Sequence, residues 1–94
     1  MGIEFRIVVA LPSESMAEQI LAHAGGGVGT RGPRGFDFRS PGNSGPMPDA
    51  MASVEPYGFY FCSFSGFTGL SAEVFGAIVG SAAAYGRVVV EDLE

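Results

Sequence analysis

The sequence predicts an α+β domain built on an antiparallel sheet, and three stretches carry that prediction. The first is the aromatic run Phe59-Tyr60-Phe61-Cys62-Ser63-Phe64, which suits a strand. Just before it, Glu55-Pro56-Tyr57-Gly58 reads as a turn. Pro presets φ at the first central position, and Gly supplies the positive φ at which the chain re-enters a strand. The other two are apolar patterns at helical spacing, one on each side of this hairpin, at residues 13–24 and 72–84.

Taken in order, residues 3–11 form the first strand, with Ile3, Phe5, Ile7 and Val9 on one face and Glu4, Arg6, Val8 and Ala10 on the other. Pro12-Ser13 ends it. Ser13 or Ser15 caps the first helix, and Ser15 with Glu18 matches a capping box. Met16, Ala17, Ile20, Leu21 and Ala24 make its apolar arc, and Gly25 suits the position just past its end.

Residues 25–48 read as a long irregular Gly/Pro-rich loop with one short extended piece at 36–39. They hold 12 of the chain's 21 Gly and Pro residues. A loop of that length in so small a domain is uncommon and is either functional or mobile. The hairpin strands follow at 50–55 and 59–64. The second helix spans 72–84, with Ser71 as its cap, Gly86 as its terminator, and Val74, Phe75, Ile78, Val79, Ala82 and Tyr85 as its core arc. A last strand at 87–91 leads into a solvated acidic tail at 92–94.

With right-handed crossovers, the order β-α-(loop)-β-β-α-β resembles the ferredoxin-like β-α-β-β-α-β arrangement. That resemblance implies two helices on one face of an antiparallel sheet. The first strand and residues 59–64 would be central, with 36–39 as a short fifth strand at an edge. It rests on topology, since no motif ties the chain to a named family.

Length bounds the chain to a single domain, residues 1–94. A chain of this size buries roughly 65% of its unfolded surface, enough for one modest core. One cysteine permits no intrachain disulfide, which fits a reducing, cytoplasmic compartment. Met1–Arg6 lacks the pattern of a secretory leader, and the Met-Gly start lacks the hydroxyl residue a myristoylation signal needs at position 6. The uncharged stretch 74–86 is too short, and too rich in Gly, Ala and Ser, to span a bilayer. All five basic residues are Arg, which we read as the GC-rich codon usage of a small bacterial protein.

The net charge of −5 disfavours nucleic acid as a partner, because phosphate contacts need a basic surface. Charge is unevenly spread. Residues 25–48 carry Arg31, Arg34 and Arg39 against the single acid Asp37, while the rest of the chain carries two Arg and nine acids.

Candidate chemistry is sparse. His23 is the only histidine and lies in the last turn of the first helix, so no His-based metal site or His–Cys dyad can be assembled from local spacing. Cys62 lies within an aromatic strand, where a buried thiol acts as a small apolar group. The stretch 25–32 (GGGVGTRG) follows a helix, whereas a phosphate-cradling loop follows a strand and opens one. The three loop arginines either pair with body acids or clamp a carboxylate or phosphate. Glu4 and Arg6, with Arg87 and Glu91, are positioned for a cross-strand charge ladder on the open sheet face.

Two patterns exceed what a two-layer domain needs. Phe59 and Phe61 point one way from their strand, but Tyr60, Cys62 and Phe64 point the other, so both faces of the sheet carry apolar residues. Either residues 25–48 roof the second face, with Phe36 or Phe38 over Tyr60 and Phe64, or that face meets a partner. On the second helix, Gly76 and Gly80 sit opposite the core arc at a spacing that lets backbones approach closely.

The sequence therefore leads to a small non-catalytic protein-binding domain, immunity-protein-like or inhibitor-like. Tyr60, Phe64 and Phe67 would be its aromatic anchors, and Arg31, Arg34, Arg39, Gly76 and Gly80 would contribute to the surface. The partner is another protein or a second copy, with no nucleic acid, membrane, metal or cofactor expected. The alternative is a small enzyme or ligand-binding module in which two sheets pack face to face as a dimeric barrel. Tyr60, Cys62 and the arginines would then line a pocket.

Overall fold

Period-2 alternation sorts the strand residues onto two faces, and helical spacing supplies the layer that covers one of them. The computed structural model describes residues 2–67 and 69–93. Its elements are β1 (Ile3–Val8), α1 (Glu14–Gly27), β2 (Thr30–Gly32), β3 (Gly35–Phe38), β4 (Ala50–Glu55), β5 (Gly58–Ser63), α2 (Gly69–Ala83) and β6 (Val89–Asp92). The result is an α+β fold with two helices and a six-stranded antiparallel sheet in the order β2-β3-β4-β5-β1-β6.

The helices lie side by side on one face. Beneath them the core is built in rows across the sheet. Phe36, Ala52 and Phe61 are register partners in one row, and Phe38, Ala50 and Ser63 in the next. The alanines of β4 leave room for rings from both sides, so large and small side chains interlock. Ala17, Ile20, Leu21 and Ala24 of α1, with Val74, Ile78 and Ala82 of α2, close the layer. Phe5, Phe61, Phe67 and Phe75 extend it as an aromatic cluster with ring centroids 5.0–5.6 Å apart.

The segment expected as an irregular loop is the main correction. Residues 30–38 form the β2–β3 hairpin, which continues the sheet beyond β4, so the expected fifth strand at 36–39 is not the edge: β2 lies outside it and the sheet has six strands. The tight pairing needs glycine at 35. Its φ is +151°, and a side chain there would strike the Ala52 carbonyl oxygen. Phe36 and Phe38 are buried under α1 and α2 on the helix face and do not roof Tyr60 and Phe64. The irregular part is residues 39–49, and it is tied down at both ends. The Arg39 guanidinium donates to the carbonyls of Gly45, Pro46 and Met47 at 2.7, 3.2 and 3.4 Å. The Asp49 carboxylate accepts from the Ser40 amide, the Ser40 hydroxyl and Asn43.

Smaller differences have local causes. Ser13 is the cap of α1, accepting from the Met16 amide at 3.1 Å, and Glu18 is drawn away from a capping box by Arg31 at 2.9 Å. The regular helix ends at Ala24, where ψ is 144°. Ser71 is buried within α2, not a cap, and donates to the Gly66 carbonyl at 2.9 Å. Tyr85 lies outside the core, 42% exposed, with its hydroxyl 3.0 Å from the Met16 sulfur. Asp92 belongs to β6 and Leu93 still bonds β1 through Glu4, so the solvated tail does not begin at 92; position 94 lies outside the described residues. Among the described residues, no helix is long and apolar enough to cross a membrane.

Candidate functional site

The face of the sheet without helices is set by the alternate residues of the same strands. One row crosses it as Glu91, Arg6, Tyr60 and Ser53, and the next as Glu4, Cys62, Met51 and Asp37. The first row is polar, and each of its side chains has a partner. Arg6 pairs with Glu91 at 3.2 Å and lies 4.8 Å from the Tyr57 ring centroid. The Tyr60 hydroxyl donates to Glu4 at 2.6 Å, and the Ser53 hydroxyl donates to Glu55 at 2.8 Å. The expected ladder thus forms between Arg6 and Glu91, while Glu4 turns to Tyr60.

The second row ends in an apolar corner. Met51 and Cys62 are buried, Phe64 is half-buried beside them, and the Met47–Pro48 stretch of the tethered loop comes alongside. Pro33, Met47, Pro48, Met51 and Phe64 line a cleft of about 240 Å³, with Arg34 and Asp37 also lining it. Met47 is 51% exposed, a large thioether left in water.

The expected site residues therefore separate. Phe64 and Arg34 share the cleft. Tyr60 is on the same face, with its hydroxyl committed to Glu4. Phe67 is on the helix side, stacked edge-on against Phe5 and Phe75. Arg31 is held between Glu18 and the Phe36 ring, 4.8 Å from its centroid, and Arg39 is spent on the loop carbonyls. Gly76 and Gly80 lie on the outer face of α2, where added side chains would meet open space, so they make no close approach to α1. Sequence reasoning missed Pro33, Asp37, Met47, Pro48 and Met51. The β3–β4 pairing brings these segments together, and nothing local marks them.

The electrostatics run against nucleophilic chemistry at this face. Burial pushes the Cys62 thiol above its ordinary value of 9.0, with Glu4 adding to the rise, although a bond with Tyr60 works the other way. Burial and the bond to Glu4 raise the Tyr60 hydroxyl well above 10.0. His23 is exposed on α1, its Nδ1 2.8 Å from the Gln19 carbonyl. No cluster of three or more His, Cys, Asp or Glu suited to a metal exists among the described residues. Two further clefts lie on the helix side. One, of about 290 Å³, lies between the α1 N-terminus and the β4–β5 turn, and one of about 250 Å³ between α1 and the β2–β3 turn. Compared with protein-family models, with curated proteins and with solved structures, the chain matches none.

Proposed function

We propose that the chain is a non-catalytic protein-binding module, acting as an immunity protein or inhibitor does. Its partner docks on the helix-free face at the corner formed by Met47, Met51 and Phe64. The observation that carries this reading is the exposed apolar cleft with two opposite charges, Arg34 and Asp37, also lining it. An apolar centre ringed by polar groups is the anatomy of a docking site. The tethering of residues 39–49 supports it, because a loop already ordered by Arg39 and Asp49 loses little entropy on binding.

The ferredoxin-like reading of the fold belongs here too. Strands β4-β5-β1-β6, with α1 and α2 as crossovers, supply its nucleus, and the β2–β3 hairpin extends it at one edge. The rival reading, a dimeric barrel with a reactive pocket, asks Tyr60 and Cys62 to face a cavity as working groups. The bonded hydroxyl and buried thiol argue against it.

A photoreactive residue placed at Met47 tests the proposal in cells of the source organism. A discrete protein adduct from this position, and none from the same probe at Ser81 on the outer face of α2, is the expected result. Equal labelling at both positions, or no adduct at Met47, contradicts it.

A further inference from the structure

The sheet ends at β6, and this edge carries its own complementarity. Val89 and Val90 are 42% and 41% exposed. The Leu93 amide donates to the Glu4 carbonyl at 3.1 Å. In an antiparallel ladder backbone groups alternate, so odd-numbered residues of this strand turn theirs toward β1 and even-numbered ones turn theirs outward. Val90 thus directs its N–H and C=O groups past the sheet edge, and Val88, the residue before β6, would do the same where pairing extends the strand. Such a row is a template for another strand.

The sequence over that row is Arg87-Val88-Val89-Val90-Glu91, with opposite charges placed symmetrically about Val89. We propose that a second copy of the chain pairs antiparallel along β6 with Val89 on the two-fold axis, joining two sheets into one. In this register Val88 of each copy exchanges both backbone bonds with Val90 of the other. Val90 already turns its backbone groups outward, and the added strand would carry the same alternation back to Val88. Arg87 of each copy lies opposite Glu91 of the other, on the helix-free face where Glu91 already meets Arg6. Cross-strand neighbours must share a face, so the axis can move only from residue to residue. Centred on Val90, the pairing sets Arg87 opposite Leu93 and Val88 opposite Asp92. Centred on Glu91, it sets two glutamates face to face. Only the Val89 register matches charge at both ends. The opposite edge offers the three residues of β2, with Arg31 already held by Glu18.

The interface is small, so the test spans chain concentrations from about 10 to about 500 µM, measured by light scattering on the full chain. Dimer is expected to grow across that range. Arg87→Glu and Glu91→Arg should each weaken self-association about tenfold, because two attractive pairs become repulsive. An equimolar mixture of the two variants should associate as strongly as the unaltered chain, since the mixed pair meets opposite charge at both ends. Amide exchange of Val88 and Val90 in the unaltered chain should slow at high concentration, a readout that survives if a variant fails to fold. A monomer throughout the range overturns the proposal. So does a dimer indifferent to both substitutions, a mixture no better than its weaker parent, or amide rates at Val88 and Val90 that ignore concentration.

Discussion

Adjacent residues of one strand lead different lives here. On β4 and β5, Ala52 and Phe61 face the helices and are fully buried, while their neighbours Met51 and Cys62 face the other way, where Met51 lines an open cleft. The covered face is closed by interlocked apolar side chains. The helix-free face is held by paired polar groups over much of its area and leaves one apolar corner open. The contrast separates two kinds of sensitivity: substitutions on the covered face act on stability, and substitutions at the corner act on binding.

The largest effect should come from the covered face. Phe61→Ala removes a ring that bridges the β-sheet core and the Phe75 cluster, and is expected to cost about 3–5 kcal/mol in denaturant unfolding. Gly58→Ala follows. Its φ is +140° and a methyl group would strike the Ile7 carbonyl oxygen, so β5 must move from β1. A loss of about 2 kcal/mol or more by the same measurement is expected.

Arg39→Ala should cost about 1 kcal/mol, and its sharper signature is faster amide exchange and proteolysis over residues 43–47. Acid should loosen the same loop. Bonds from Asn43 and from the Ser40 amide hold the Asp49 carboxyl below its ordinary 3.8. A depressed carboxyl pKa contributes stability above the unfolded value and loses it as pH falls through the folded one. Loop protection should therefore be constant above about pH 5 and fall as pH drops below 4, and Asp49→Asn should abolish that dependence. The smallest effect is at the corner: Met47→Glu should change stability by no more than about 0.5 kcal/mol, because the side chain already stands in water.

The hairpin β4–β5, the apolar arc of α1 and the opposed faces of β5 were legible because each is a local periodicity. The β2–β3 hairpin was not. Its Gly and Pro residues read as loop, and the short alternation Gly35-Phe36-Asp37-Phe38 gains meaning only when β4 presents Ala50 and Ala52 as small partners. Tyr85 looked like core because it continues the α2 arc, but the helix stops at Ala83. At the candidate site, Phe64 and Arg34 were within reach of sequence reasoning as an aromatic on the open face and a loop cation. Met47, Met51 and Asp37 come from separate segments joined by strand pairing, and only the fold makes them neighbours.

The most direct test of the docking corner compares partner recovery by the unaltered chain and by Met47→Glu, at equal folded fraction, using quantitative mass spectrometry. At least a tenfold loss of one specific protein is expected, about 1.4 kcal/mol of binding free energy. Equal recovery by both chains would contradict the assignment of that face as the binding surface.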